Sequence, residues 1–346
     1  MSVIQTAYQQ LLDGVPGDQV KAQMRQTYKT LGSLNTTMSH VRKLIKDGNH
    51  RHPTFAEQCK TLEPFKGEGG VPEFLTATLT HQLDIQKQHR IHGGWSTRAE
   101  VALSQLKILP DNLQSFALTH SESLTLKQHH EAAQIKKNQH PVTIKEAGAL
   151  LKHARWLLQT AKPHMSFPRL VLPLSVVSGR RECELLNGHS TFAPSPHGAT
   201  YTVFSGAAKK RGKDDTYTIP LLVEYDLYKH ALDILREKQR GKGVTTLENE
   251  GVTSRYQSNL ERDLGKVLPA LAPNGKRILS VHGLRSLYMA YISVGYASPF
   301  TFAATAMEVL GHLTLFESHS YANVRLEGCD EIQGAFGPLV FDDNDE

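Results

Sequence analysis

The sequence predicts a mainly helical α+β protein with a small antiparallel sheet in its C-terminal half. Three observations predict it. Apolar residues recur with helical period over much of the chain. Thr54-x-x-Glu57, Thr97-x-x-Glu100 and Thr143-x-x-Glu146 have the form of capping boxes that open helices. A single stretch alternates as a hairpin: Val203-Phe-Ser-Gly-Ala-Ala-Lys209-Lys210-Arg-Gly-Lys213-Asp-Asp, followed by Thr216-Tyr-Thr-Ile-Pro-Leu.

Taken in order, Gln19 to Tyr28 and Met38 to Ile45 have helical character. Gln134-Ile-Lys-Lys-Asn-Gln-His-Pro141 is polar, ends in proline and is expected to be a linker. This divides the chain into a helical N-terminal domain (1–140), a second domain (141–325) and a short acidic tail (326–346). The second domain opens with a helix through Ala149 to Leu158, capped at Thr143, and continues with one over Pro168 to Val177. Beyond the hairpin, Tyr225 to Arg236 is helical, Gln239 to Val244 reads as a mobile basic loop, and Thr253 to Leu268 forms another helix. A turn at Ala272 to Lys276 precedes helices over His282 to Ile292 and Phe300 to Leu310, and a last short helix carries Tyr321.

Composition narrows the function classes. The 346 residues suffice for two compact domains. With 39 Lys+Arg against 34 Asp+Glu the net charge is +5, and the acidic ending Phe341-Asp-Asp-Asn-Asp-Glu346 leaves the rest of the surface more basic than that average. Cys59, Cys183 and Cys329 are odd in number and lack a Cys-x-x-Cys pair, which argues for a reducing compartment and against zinc or a disulfide framework. No signal peptide is recognisable. The longest apolar run, Leu170 to Val177, is too short to span a membrane. A cytoplasmic protein is expected.

Four motifs carry chemistry, and they follow one another along the C-terminal half. Ser178-Gly179-Arg180-Arg181-Glu182-Cys183-Glu184-Leu185 has the form Gly-x-Arg-x-x-Glu-Leu. The lysine-bearing hairpin follows. His282-Gly-Leu-Arg285 precedes an apolar helical run, and Leu310-Gly311-His312 lies nine residues before Tyr321. Taken singly, each has a structural alternative: a surface arginine paired with Glu182 or Glu184, a packed histidine, a solvated turn, a helix C-cap.

Together the motifs resemble the catalytic domain of tyrosine recombinases and type IB topoisomerases, which use two arginines, a hairpin lysine, two His-type residues and a tyrosine. Three stretches are closer still to the telomere resolvases (protelomerases): Ser178-Gly-Arg-Arg181; Phe204-Ser-Gly-Ala-Ala-Lys209 leading to Thr218-Ile-Pro-Leu-Leu-Val; and Leu284-Arg285-Ser-Leu-Tyr288. The resemblance spans roughly residues 140 to 325. It departs from the pattern in one respect: such enzymes usually carry larger N-terminal regions and often a further C-terminal DNA-binding module, whereas here Ala322 to Glu346 follow Tyr321.

The resemblance implies a catalytic set of Arg181, Lys209, His282, Arg285, His312 and Tyr321, working without metal, ATP or other cofactor. Attack on a phosphodiester adds negative charge to the non-bridging oxygens, which preorganised guanidinium groups stabilise. Arginine suits this because it stays charged and its planar fork binds phosphate oxygens in pairs. Arg181 carries the Glu-Leu at the family offset, and Arg180 is its rival. Tyr321 is the expected nucleophile and Lys209 the expected general acid, with Lys210 and Lys213 as alternatives. Arg180, Lys210 and Lys213, with Lys21, Arg25, Arg42 and Lys43 in the N-terminal domain, are expected DNA contacts, the latter as one arm of a clamp. The implied partner is double-stranded DNA with an inverted-repeat site, bound by a homodimer that leaves closed hairpin ends. A conventional recombinase, exchanging strands as a tetramer, and a catalytically silent DNA-binding relative are the alternatives.

Overall fold

A computed structural model of the chain describes residues 2–67, 71–92, 96–208, 216–240, 242–247, 249–298, 300–311, 318 and 320–340. The chain forms two compact units, Met1–Ala132 and Ala133–Glu346.

The first unit is helical: α1 (Val3–Leu12), α2 (Gly17–Thr27), α3 (Leu31–Asp47), α4 (Phe55–Gln58), α5 (Val71–Thr76), α6 (Leu79–His92), α7 (Thr97–Gln105) and α8 (Asn112–Ser115). Helix α9 (His120–Gln139) then runs past the boundary between the units. Residues one helical turn apart on α1, α2 and α3 pack Leu11, Val20, Met24, Leu34, Met38 and Val41 around Phe116. A second cluster gathers Phe55, Leu62, Phe74 and Leu103. Two capping boxes read from sequence differ here. Thr97 is one residue late, because Ser96 is the N-cap and accepts from the Ala99 N–H. Thr54 is an N-cap without a side-chain cap bond; its hydroxyl instead meets His52 and Gln58.

The second unit comprises β1 (Val142–Ile144), α10 (Ala147–Gln159), α11 (Pro168–Ser178), α12 (Glu182–Leu186), β2 (Thr191–Pro194), β3 (Tyr201–Ser205), β4 (Thr216–Pro220), α13 (Tyr225–Arg240), α14 (Asn249–Val267), α15 (Leu284–Gly295), α16 (Phe302–Leu310) and β5 (Val324–Leu326). Strands β2, β3 and β4 form an antiparallel sheet in which Phe204 faces Tyr217 and Ser205 faces Thr216. Helix α11 is apolar all round and every one of its residues from Leu170 to Ser178 is buried, the signature of a helix at the centre of a core. Helix α15 is nearly as buried and ties the core together through three tyrosines, which donate to the carbonyls of Pro220 (Tyr288, 2.6 Å), Ala147 (Tyr291, 2.6 Å) and, just past its end, Leu221 (Tyr296, 2.9 Å). A buried carbonyl without such a donor is costly, so each bond fixes the register of α15.

Several boundaries need correction. The expected linker is largely helical, since Gln134 to Gln139 complete α9. Thr143 caps no helix: it lies in β1, which pairs in parallel with β5 (Val142 with Val324, Ile144 with Leu326), and α10 starts at Ala147. A partner strand some 180 residues away in sequence was not visible locally; the pairing leaves Thr143 extended. Gln239 and Arg240 belong to α13 rather than to a loop, and Gln239 is buried where Tyr256 donates to it. Nor do residues 326–340 form a tail, because Ile332 and Leu339 are buried in the second core and Ala297 bridges to Pro338. The acidic residues 342–346 lie outside the described residues. Among the described residues no helix is long and apolar enough to cross a membrane.

Candidate active site

The site is built at the end of α11. Gly179 terminates that helix in the left-handed region (φ 65°), and a Cβ there would lie 2.2 Å from the Tyr288 ring, so only glycine turns the chain this tightly against α15. The turn delivers two consecutive arginines with opposite fates. Arg180 is 2% exposed and points into the core. It donates to the Tyr217 hydroxyl (2.8 Å), the Val309 carbonyl (3.0 Å) and the Ser178 carbonyl (3.4 Å), and its guanidinium lies 4.7 Å from the Phe204 ring centroid. The expected DNA contact by Arg180 is therefore corrected: its nitrogens are committed inside the protein. Arg181 sits at the N-cap of α12 with its side chain 17% exposed.

Glu184, one turn into α12, is fully buried and organises the surroundings of Arg181. Its carboxylate accepts from the Arg181 N–H (2.9 Å), the Arg181 guanidinium (3.0 Å) and the Ala208 N–H (3.1 Å). Burial opposes its charge, but Arg180, Arg285 and Arg181 more than offset this and hold its carboxyl at about 2. Because the folded-state value lies below the ordinary carboxylate range, the stabilisation is complete above about pH 4.5 and is lost as pH falls toward 2. Glu184→Gln removes the charge that balances these guanidiniums. It should cost about 3–5 kcal/mol at neutral pH, the usual loss on breaking a buried ion pair. Urea denaturation at pH 7 and pH 4 measures both the loss and its shrinkage at acid pH.

Arg285 comes from the first turn of α15 and is 3% exposed. It donates to the carbonyls of Gly179 and Leu310 (both 2.8 Å), joining the Arg181 turn to the end of α16. Its Nε is buried without a hydrogen-bond partner among the described residues. Burial, followed by the like charges of Arg181 and Arg180, pushes its guanidinium down to about 10, which still leaves it charged at neutral pH. Such crowding is relieved when an anion arrives. The Tyr321 ring centroid lies 5.7 Å from the Arg285 guanidinium carbon, and Tyr321 is 7% exposed. The strand β5, three residues downstream, holds Tyr321 near the start of the second unit through its pairing with β1.

The structure thus gathers Arg180, Arg181 and Arg285 around Glu184, with Tyr321 beside Arg285. His282 is exposed just before α15, where its carbonyl accepts from the Arg285 N–H (3.3 Å). His312 lies outside the described residues, directly after Gly311, the left-handed C-cap of α16. Lys209, Lys210 and Lys213 lie outside them too, in the connection between β3 and β4. In the first unit, Lys21 donates to the Ala117 carbonyl and pairs with Glu122, its side chain 12% exposed. Arg42 donates to the Phe116 carbonyl and lies over that ring. Both residues brace the first unit internally. Arg25, which also pairs with Glu122, and Lys43 are exposed. Sequence reasoning used Glu184 only as a motif marker and missed Tyr217 altogether; the strand pattern places Tyr217 on a face but carries no sign of its partner Arg180.

The model of the telomere resolvase ResT/TelK catalytic domain matches residues 135–323, more than half of the chain. The chain belongs to that family. The matched segment contains every residue of the catalytic set named above. Among solved structures, protelomerase TelK complexed with substrate DNA is similar over 86% of this chain and 70% of its own, at 16% identity and a TM-score of 0.59. A single-substitution variant of protelomerase TelA covalently complexed with substrate DNA is similar over 84% of this chain and 95% of its own (20% identity, TM-score 0.56). A TelA variant complexed with DNA hairpin product matches over the same shares at 19% identity and the same TM-score. These likenesses share the fold: a mostly helical chain with a small antiparallel sheet. No curated protein sequence matches the chain.

Proposed function

We propose that the chain is a telomere resolvase that cuts and reseals double-stranded DNA through a 3′-phosphotyrosyl bond on Tyr321, leaving covalently closed hairpin ends. The observation that carries this is the placement of Tyr321 against Arg285, with Arg181 alongside, inside the segment that matches the family. In the first step the Tyr321 oxygen attacks phosphorus and loses its proton, while the bond to the 5′-oxygen breaks. Arg181 and Arg285 stabilise the charge that builds on the non-bridging oxygens. His282 and His312 hydrogen-bond the phosphate or take the tyrosine proton, and the hairpin lysine, Lys209 first, protonates the leaving 5′-oxygen. In the second step the 5′-hydroxyl of the opposite strand at the same end attacks the phosphotyrosine. That attack closes the hairpin and returns the proton to Tyr321. Each bond broken is matched by one formed, so the scheme balances with protein groups alone and needs no metal or cofactor.

Two protomers on an inverted repeat account for one cut per strand. The relatives caught covalently with substrate DNA and with hairpin product support the cleavage and hairpin-closing steps. The N-terminal unit, with Arg25 and Lys43 exposed, supplies further phosphate contacts. Binding is accordingly expected to weaken steeply with salt. A drop of less than tenfold in affinity between 50 and 200 mM salt would contradict a phosphate-dominated interface, for which ~10³–10⁵ is typical at six to ten contacts.

The test incubates the protein, in excess EDTA, with a linear fragment containing the inverted repeat of its own replicon. On a denaturing gel, products that snap back at twice their single-strand length establish hairpin ends. Exchanged duplexes without snap-back place the enzyme among strand-exchanging recombinases, and a need for divalent ions defeats the metal-free scheme.

A further inference from the structure

We propose that Arg180 and Tyr217 are positioning residues that lock the lysine hairpin to the arginine turn, so that the general acid stands at the leaving oxygen when the strand is cut. The inference rests on the function proposed above and assigns a task to two side chains which that function leaves unused.

The starting observation is a cation buried in the core and bonded to several elements at once. A guanidinium buried as fully as that of Arg180 pays a heavy desolvation cost, and a well-packed apolar residue often serves stability equally well. What an apolar residue cannot do is tie several elements at fixed geometry. Arg180 ties three. It grips its own turn through Ser178, the end of α16 through Val309, and β4 through the Tyr217 hydroxyl. Its planar face also covers Phe204 on β3. Phe204 and Tyr217 are cross-strand partners whose rings meet edge to face at 5.6 Å. They form the last pair but one before the strands part, because Ser205 and Thr216 are the final pair. The residues connecting those strands include Lys209, Lys210 and Lys213.

The same turn holds the other arm. Glu184 accepts the N–H of Ala208, the residue immediately before Lys209. One short segment, Arg180 to Glu184, therefore presents Arg181 and grips both arms of the hairpin. The Tyr217 hydroxyl also reaches the Leu310 carbonyl (3.4 Å) and lies 2.7 Å from where a Cβ on Gly311 would stand. This sets the hairpin against the turn that leads to His312. Proton transfer demands hydrogen-bond reach, and a misplacement of about 1 Å costs on the order of 100-fold. A rigid tie between the arginine turn and the two described ends of the hairpin, Ala208 and Tyr217, meets that demand.

Tyr217→Phe deletes the hydroxyl and keeps the ring under Arg180. Single-turnover cleavage is measured on two substrates: the ordinary site, and one with a bridging 5′-sulfur at the scissile phosphate. The sulfur leaves as a thiolate and needs no proton, so a defect confined to the general acid disappears on it. Tyr217→Phe is expected to bind DNA like wild type and to stay folded at the assay temperature with a lowered melting temperature, since it leaves one buried guanidinium N–H unpaired. It is expected to cut the ordinary site ~10–100-fold more slowly and the sulfur substrate within about twofold of wild type. Arg180→Lys, which keeps the charge but not the planar fork, is expected to behave alike. Equal slowing on both substrates, or none on either, overturns the inference. A variant with Lys209, Lys210 and Lys213 all changed to alanine separates the two levels of the argument. If it too is restored by sulfur while Tyr217→Phe is not, only the positioning role fails; if it is not restored, the lysine assignment fails and the positioning role falls with it.

Discussion

Tyr321→Phe should form no covalent adduct with DNA while binding the site as tightly as wild type. The substitution removes one oxygen and leaves the ring that packs beside Arg285 and in the core of the second unit. Loss of cleavage should be complete within detection, because phenylalanine has no atom that can form the phosphoester. In the proposed scheme binding rests on phosphate contacts spread over the protein and does not depend on that oxygen. Gel shift and denaturing gel on the same samples separate the two quantities. An adduct formed by Tyr321→Phe would move the nucleophile elsewhere.

Arg181→Ala should slow cleavage by ~10²–10³-fold, the usual loss when one preorganised donor to a developing oxyanion is removed. Of the two arginines assigned to the transition state, Arg181 gives the cleaner test. Its side chain is partly exposed at the N-cap of α12, whereas Arg285 also braces the carbonyls of Gly179 and Leu310. Truncating Arg285 therefore mixes lost catalysis with lost structure. Cleavage by Arg181→Ala within a factor of three of wild type, with DNA binding intact, would remove Arg181 from the catalytic set. In that event the charge would have to be met by Arg285 together with groups outside the described residues.

What the sequence discloses of this protein follows how local each feature is. The arginine turn, the hairpin, the α15 entry and the Leu310-Gly311-His312 turn each lie within about twenty residues, so their spacing carries them. Gly179 and Gly311 both occupy the left-handed conformations that such turns require. Features that depend on partners distant in the chain were misread. Arg180 and Arg181 are adjacent and chemically identical, and only the packing of β3, β4 and α16 decides that the first is buried. Thr143 looks like a cap until β5 pairs with its strand. Lys21 and Arg42 belong to a basic run, yet Glu122 and the Phe116 and Ala117 carbonyls, some 75 to 100 residues on, engage them. Strand β2 was overlooked because Thr191-Phe-Ala-Pro is too short to alternate and ends in proline.

The energetic character of the site comes from these distant contacts as well. Three guanidiniums share one buried carboxylate, so the pocket is positively charged before any phosphate enters. That charge is preorganised by backbone carbonyls and by Glu184, which means that little reorganisation is left for the transition state. The cost is a turn whose stability depends on Glu184 staying ionised.

The most direct test of the account is to identify the amino acid and the DNA end in the covalent intermediate. Protein trapped on a site with a bridging 5′-sulfur would be digested with protease and nuclease, and the modified peptide sequenced by mass spectrometry. The account predicts a nucleotide joined through its 3′-phosphate to Tyr321, with a free 5′-thiol on the released strand. A nucleotide on any other residue, or a 5′-phosphate linkage, would contradict it.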